Sequence, residues 1–296
     1  MESMRDVRSR IKSVSQTLTV TSAMKLISTA KLRKARRRLD ETVPYFEAVR
    51  AAMADIVDHS EHAARTWFDK RARKPSRRIA TLVITSDRGL AGAYNAAIIR
   101  FVEDSCPSGS ILIPVGAIGK RHFMKRDYVL MEDFSVSRKE PTVYEAKDIA
   151  AFAVDLFLSG RVDEFRVAYT NMISTVKQVP ELIGVLPLER EALAAARPIS
   201  RRARAAKEAS GSYSYEPDEE SVFARLVPFF VKGVVYGALV EAFASEQSAR
   251  MSAMDSASRN AGEMIARLTG SYNRARQAAI TAEVSEIVAG AAAQRP

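Results

Sequence analysis

The stretch Val222-Phe-Ala-Arg-Leu226-Val-Pro-Phe229-Phe-Val-Lys-Gly233-Val-Val-Tyr236 opens a heptad pattern in the last quarter of a 296-residue chain. Alternating steps of four and three residues carry the pattern to Leu268 through Val240, Phe243, Gln247, Arg250, Met254, Ala257, Ala261 and Met264. Such spacing predicts a helix with one continuous seam over residues 218–290. At ~1.5 Å per residue that helix would extend for ~110 Å, so it needs a partner along its length.

A second seam at the N-terminus supplies that partner, over residues 3–58. Its positions are Met4, Val7, Ile11, Val14, Leu18, Leu32, Ala35, Leu39, Val43, Phe46, Val49, Met53 and Ile56. Between its two halves, near Thr21–Met24, the pattern indicates a slip in phase, which changes the local supercoil without ending the helix. We therefore expect a long antiparallel coiled coil of the N- and C-terminal helices.

Past Leu268 the seam positions become small, with Ser271, Ala275, Ala278, Ala282, Ser285 and Ala289. Side chains of this size do not fill the holes of a partner helix, although alanine itself favours the helix. The sequence therefore predicts a slender, apolar helix end that another protein covers.

Residues 78–197 alternate between strand and helix patterns. Strands are predicted at 79–85, 111–115 and 162–170, with helices near 92–104, 116–126 and 144–160. Extended chain is predicted at 175–188, where Pro180 and Pro187 favour an edge position. The fold class is α/β, with an inserted Rossmann-like α/β domain. We expect an N-terminal shaft helix at 1–64, the inserted domain with flanking linkers at 65–212, and a C-terminal shaft helix at 213–296.

The residues predict no catalytic, cofactor-binding or metal site. Gly89-Leu-Ala-Gly92 has the wrong spacing for a dinucleotide fingerprint, and Gly116-Ala-Ile-Gly119-Lys120 is followed by Arg121 where a P-loop needs Ser or Thr. Three histidines and the single Cys106 are too few for a metal cluster. An α/β enzyme with a small-molecule site in 78–197 remains an alternative, which saturable nucleotide binding by the isolated chain would support.

The positive charge of the chain is concentrated near its N-terminus. The net charge is +10, and residues 1–78 hold 19 basic and 9 acidic residues, which is the whole excess. The basic collar, defined as residues 25–38, fits a solvated helix face, a nucleic-acid-binding helix or a surface facing acidic partners. No aromatic residues or nucleic-acid motifs accompany it, so we expect no nucleic-acid partner.

The hydropathy of the chain predicts no membrane span and no export signal, because no apolar run is long enough for a span and none at the N-terminus forms the core of a signal.

Several motifs resemble the gamma subunits of F-type rotary ATP synthases. They are Met4-Arg-Asp-Val-Arg-Ser-Arg-Ile-Lys-Ser13, Thr21-Ser-Ala-Met24-Lys-Leu-Ile-Ser-Thr-Ala-Lys31-Leu, Ser86-Asp-Arg-Gly-Leu-Ala-Gly-Ala-Tyr-Asn95, Ala244-Ser-Glu-Gln-Ser-Ala-Arg250-Met-Ser-Ala-Met254 and Tyr272-Asn-Arg-Ala-Arg276-Gln277-Ala-Ala-Ile-Thr281-Ala-Glu283. The matches include both termini and the start of the insertion, in the family's order.

The resemblance implies a central rotor shaft that couples ion translocation to ATP synthesis or hydrolysis. It implies alpha and beta subunits, an epsilon subunit and a membrane c-subunit ring as partners, with the catalytic sites in the beta subunits and no cofactor on this chain. It also implies a peripheral protein on the cytoplasmic side of a bacterial inner membrane. The coupling ion that it implies is a proton or sodium.

The resemblance carries functional positions onto particular residues of this chain. Coupling contacts to the catalytic subunits fall on Met24, Lys25, Arg250, Arg276, Gln277, Thr281 and Glu283. Contacts of the foot to the membrane ring and the epsilon subunit fall on Tyr213, Tyr215 and Glu216. Met24 also fits a simple core position, and the foot motif also fits a capped helix start. A dimeric coiled-coil scaffold is a further alternative, which the small residues past Leu268 disfavour.

Overall fold

The computed structural model describes residues 4–60, 62, 64–68, 77–131, 134, 140–175, 177–194 and 215–293. The helices are α1 (Met4–His59), α2 (Arg65–Phe68), α3 (Tyr94–Ser105), α4 (Ala117–Phe123), α5 (Val143–Leu158), α6 (Arg190–Ala194) and α7 (Glu219–Ala293). The strands are β1 (Ile79–Ile84), β2 (Ile111–Val115), β3 (Val129–Leu130), β4 (Glu164–Met172) and β5 (Gln178–Leu186). The chain forms two compact units, a smaller one of residues 1–28 with 250–296 and a larger one of residues 29–249.

Both predicted terminal helices are confirmed, with ends one to three residues from the expected ones. The start of α7 has a clear local cause, because the Asp218 carboxylate accepts hydrogen bonds from the backbone N–H and the hydroxyl of Ser221 at 2.7 and 2.8 Å. These bonds satisfy donors that a helix N-terminus leaves open, and they lower the pKa of Asp218. Glu219 and Glu220 add favourable negative charge to the same turn.

The larger unit is built on a five-stranded sheet with the order β3-β2-β1-β4-β5. Neighbouring strands are parallel except β5, which runs antiparallel to β4 at one edge. The edge position predicted from Pro180 and Pro187 is confirmed, because β5 is the last strand of the sheet. Pro180 lies inside β5, and Pro187 follows its last residue. The short elements α2, α6 and β3 were not predicted, because two to five residues carry too little periodicity to detect.

Alternate residues of β1 point into two separate cores. Leu82 and Ile84 join the larger core, which α5, the second half of α1 and the first part of α7 complete on one face of the sheet. Val83 joins the smaller core beneath α3 and α4 on the other face. This division follows from the two-residue period of a strand that is buried on both faces.

Within the larger unit, α7 is buried over a wider face than one heptad seam. Tyr236 and Val240 are buried as predicted, but Phe229 is 42 % exposed, so its seam assignment was wrong. The physical reason is that α7 packs on the sheet domain as well as on α1. The fully buried positions are Phe223, Val227, Val231, Val235, Ala242, Ser245 and Ser248. Two of them contact β4 and the segment after it, since the hydroxyls of Ser245 and Ser248 donate to the carbonyl oxygens of Thr170 in β4 and Thr175 beyond it.

The predicted phase slip near Thr21–Met24 was also wrong. Thr21 and Ser28 are buried, and steps of three and four residues lead from Leu18 through Thr21 and Lys25 to Ser28 without interruption. The seam is continuous, but hydroxyl and charged side chains occupy it here. An apolar pattern alone cannot detect such positions, because their burial depends on hydrogen bonds to the facing helix.

The apolar character of α7 exceeds the sequence expectation. An 18-residue window of this helix meets the length and composition of a membrane span, and half of that window is buried inside the fold. The core helix of a globular domain meets the same criteria of length and composition.

Candidate functional site

Lys25 and Asp255 form an ion pair between α1 and α7 in the smaller unit. The Lys25 Nζ lies 2.6 Å from Asp255 Oδ1, and Arg259 approaches the other carboxylate oxygen at 3.7 Å. The hydrogen bond from Lys25 and its charge lower the pKa of Asp255. Both side chains are about 40 % exposed, so the pair contributes little to the stability of the fold.

Hydroxyl groups continue this contact one turn away. The Thr21 and Ser258 hydroxyl oxygens are 2.8 Å apart, and Ser22 lies 3.4 Å from the same oxygen. Met24, half-buried, sits between this pair and Lys25 along α1. The structure therefore places the predicted residue Lys25 against a polar stretch of α7, with the half-buried Met24 next to it in the sequence.

Asp255 and Ser258 were not singled out by the sequence analysis. An antiparallel alignment of the two helices offers the only signal for them, since it places acidic and hydroxyl residues of α7 opposite Lys25 and Thr21. The alignment itself is visible only once one pair of contacts is known.

Arg250 is the first residue of α7 in the smaller unit, and it is buried to 8 % exposure. Burying a guanidinium group away from water is unfavourable unless polar groups surround it. Its burial in a helix seam agrees with the sequence observation that a charge stands where the pattern expects an apolar residue.

The remaining predicted coupling residues lie on a fully exposed length of α7. Every residue from Arg276 to Gly290 is exposed, which includes Arg276, Gln277, Thr281 and Glu283. Ile280, Val284, Ile287 and Val288 on the same length expose 52–65 % of their surface. Large aliphatic side chains grouped in this way are typical of surfaces through which proteins bind one another.

The foot residues have a different environment, inside the larger unit. The Tyr215 hydroxyl donates to Asp55 Oδ2 at 2.7 Å, and the Tyr215 ring packs against the larger core. His59 Nδ1 lies 2.8 Å from the backbone oxygen of Asp55, and this contact, with the Asp55 charge, raises the pKa of His59. Glu216 is exposed. Tyr213 and residues 197–212, which form the predicted linker between the inserted domain and the C-terminal helix, lie outside the described residues.

Part of the basic collar is engaged within the larger unit. Lys34 and Arg38 both contact Glu140 Oε2, at 3.0 and 2.8 Å. Arg33 and Arg37 are exposed. The collar is thus divided between residues that anchor the loop before α5 and residues that face solvent.

Two backbone amides after β2, of the kind that a phosphate would need, are already bonded to side chains that follow β1. Ala117 N donates to Asp87 Oδ1 at 2.9 Å, and Gly119 N donates to Thr85 Oγ1 at 3.0 Å. Gly116 has a φ of +92°, and a Cβ there would lie 2.2 Å from the Thr85 carbonyl oxygen. These glycines therefore serve close packing of the strand-to-helix turn, which disfavours the nucleotide-site alternative.

Comparisons with known proteins agree over almost the whole chain. The family model described as ATP synthase matches residues 3–294. The ATP synthase gamma chain of Ruminiclostridium cellulolyticum is 41 % identical over 295 residues, covering 98 % of each chain. That of Acetivibrio thermocellus is 42 % identical over 295 residues, covering 99 % of each.

A solved structure supports the fold. The Euglena gracilis mitochondrial ATP synthase, in an assembly of OSCP, F1 and c-ring, contains a chain that matches with a TM-score of 0.64 at 18 % identity, covering 98 % of this chain and 94 % of that one. At this identity the match concerns the fold, including the long terminal helices and the central sheet. Together with the full-length sequence relatives, it shows that the chain belongs to the family of ATP synthase gamma chains.

Proposed function

We propose that this chain is the central rotor shaft of an F-type ATP synthase. It transmits torque between an ion-driven membrane ring and a catalytic hexamer of alpha and beta subunits. In physical terms, the shaft contacts each beta subunit differently as it turns, and these differential contacts shift that subunit among states of different nucleotide affinity. Residues 1–64 and 213–296 supply the shaft helices, and residues 65–212 form the inserted domain.

The observation that carries the proposal is the exposed length of α7 from Arg276 to Gly290. A helix that presents four large aliphatic side chains to solvent, with small residues between them, fits the bore of a surrounding protein ring. Its small seam residues suit a surface that slides against its neighbours, because they offer few knobs that lock into holes.

The coupling contacts are proposed at two levels of the shaft. Arg276, Gln277, Thr281 and Glu283 face the catalytic subunits directly from the exposed length of α7. Met24, Lys25 and Arg250 contact them from the stretch where α1 and α7 pair through polar groups. In this arrangement the Lys25–Asp255 pair holds the two helices in register while the shaft is under torque.

The foot is proposed to contact the c-subunit ring and the epsilon subunit through residues 213–216. The inward hydrogen bond of Tyr215 to Asp55 gives this residue a positioning role, because it fixes the chain next to the exposed Glu216. Tyr213 belongs to the same contact.

The chain is proposed to have no catalytic site, so the catalysis resides in the beta subunits. The occupied amides at Ala117 and Gly119 support this assignment. We further propose that it is a peripheral protein on the cytoplasmic side of a bacterial inner membrane, within a complex driven by protons or sodium ions.

Reconstitution with alpha and beta subunits tests the proposal. The chain should form a stable complex with ATPase activity, and deletion of residues 287–296 should be tolerated better than Ile280→Asp, which places a charge inside the bore. Met24→Asp should impair coupling as strongly as Ile280→Asp. A well-folded chain that does not associate with alpha and beta subunits would contradict the rotor assignment.

A further inference from the structure

Beyond the contacts named above, we propose that Tyr45, Phe229, Lys232 and Lys147 form a docking surface for an acidic segment of another subunit. We call this group the aromatic–lysine surface. A partner carboxylate would pair with Lys232, and an apolar side chain next to it would pack on the two rings. The inference rests on the proposed function, since it needs an assembled complex.

The geometry holds Lys232 between two exposed rings in the larger unit. Its Nζ lies 4.6 Å from the Phe229 ring centroid and 5.5 Å from that of Tyr45, within the range of cation–π contacts. Phe229 and Tyr45 expose 42 % and 51 % of their surfaces. The Tyr45 ring also contacts Phe46 edge-on, and Phe46 packs against Tyr236, so this side of the surface is fixed by the fold.

Positive charge on this surface lacks a counterion within the described part of the chain. Among those residues neither Lys232 nor Lys147 takes part in an ion pair. Partial burial lowers the pKa of Lys232, and the charge of Lys147 lowers it further. A carboxylate from outside the chain would relieve this unfavourable pairing of like charges.

The composition favours a protein over a membrane as the partner. Exposed aromatic rings fixed beside a charged group resemble the anchors of protein interfaces, where aromatic side chains carry much of the binding energy. Binding to anionic lipid typically uses clusters of about four to eight basic residues, and this surface has two. An acidic protein segment therefore matches both the charge and the rings.

Zero-length carbodiimide crosslinking of the purified complex tests the proposal, since this reagent joins amines only to carboxylates that touch them. We expect Lys232 to crosslink to an Asp or Glu of another subunit. Lys232→Arg should abolish the crosslink but keep the partner bound, because the guanidinium retains the charge without a reactive amine. Lys232→Glu should weaken retention of the partner about tenfold, as expected for loss of a contact charge.

Amine acylation gives a second readout on the same samples. Lys232 should react at least about tenfold more slowly in the complex than in the isolated full-length chain. Equal reactivity would overturn the proposal, because the surface would then be bare. Protection without a crosslink to a carboxylate would also overturn it, as would protection of the isolated chain by phosphatidylserine vesicles. Failure to copurify with alpha and beta subunits would instead count against the rotor function.

Discussion

The helix α7 has two regions that differ in how much of their surface the chain itself covers. In the larger unit, between Phe223 and Ser248, several sides of the helix carry residues that are fully buried. In the smaller unit its buried residues are Arg250, Met254 and Ala261, and from Arg276 to Gly290 all residues are exposed. One continuous helix is thus part of a folded core over one length and exposed to solvent over another.

This difference separates stability from function along the chain. Local opening costs most free energy where apolar contacts are dense, and least where a helix is exposed. We therefore expect substitutions in the larger unit to lower the free energy of unfolding, and substitutions on the exposed length of α7 to impair assembly while leaving the fold intact.

The largest expected effect is that of Phe223→Ala. This ring is fully buried, so its removal leaves a cavity and should lower the free energy of unfolding by about 3–5 kcal/mol. Phe229→Ala on the same helix is the matched control and should cost less than about 1 kcal/mol, because this ring is 42 % exposed. Urea denaturation followed by circular dichroism measures both, and equal losses would show that α7 has no distinct core face.

Two methionines compare the units with the same chemical change. Met53 in the larger unit has no exposure, and Met53→Ala should cost about 2–5 kcal/mol. Met254 in the smaller unit is buried against a helix pair alone, so Met254→Ala should cost less than about 2 kcal/mol because its surroundings can collapse more easily. Denaturation curves at 25 °C give the two values. A larger loss for Met254 would mean that the helix pair is the more tightly packed region.

Two glycines of α7 should respond to alanine with opposite signs. A Cβ at Gly233 would lie 2.5 Å from Phe46 Cδ1, so Gly233→Ala should destabilise by about 1–3 kcal/mol as the ring is displaced. A Cβ at Gly237 meets nothing within 4 Å, so Gly237→Ala should stabilise the helix by about 0.5–1 kcal/mol. Thermal melting distinguishes the two variants, and a gain in both would rule out close packing between α1 and α7 at Phe46.

The smallest effect is expected from the Lys25–Asp255 pair. The pKa of Asp255 is lowered in the folded chain, so the ionised carboxylate stabilises the fold at pH values above the ordinary Asp pKa of about 3.9. This stabilisation is lost as the pH falls through the lower pKa of the folded chain. Asp255→Asn should therefore be less stable than the unsubstituted chain at pH 7, and the difference should vanish in acid. Hydrogen exchange of amides in residues 18–28 measures it, and a difference independent of pH would exclude this ion pair as its cause.

The sequence predicts well what its periodicity encodes. The heptads around Val49 and Val240 located the N- and C-terminal helices, and β-branched runs located the strands, since burial of one face repeats at fixed intervals. Pro180 located the edge strand because proline cannot donate to a neighbour. Phe229 was misplaced because α7 packs on two neighbours, which widens the buried face beyond one stripe.

Contacts between distant residues were not predictable in the same way. The buried Thr21 and Ser28 interrupt the apolar pattern, although the seam itself continues through them. Asp255 and the hydrogen bond from Tyr215 to Asp55 depend on pairing across 160 residues or more, which no local pattern records. For the candidate site, motif resemblance indicated the positions, and only the structure assigned partners to Lys25 and Tyr215.

Rotation of this chain inside the catalytic hexamer tests the central claim most directly. Cys106→Ser combined with Met124→Cys places one reactive thiol at a residue that is 64 % exposed, to which a bead can be attached in a complex with immobilised alpha and beta subunits. On addition of ATP the bead should rotate in one direction, at a rate that follows ATP hydrolysis. A complex that hydrolyses ATP at its normal rate while the bead stays fixed would contradict the account.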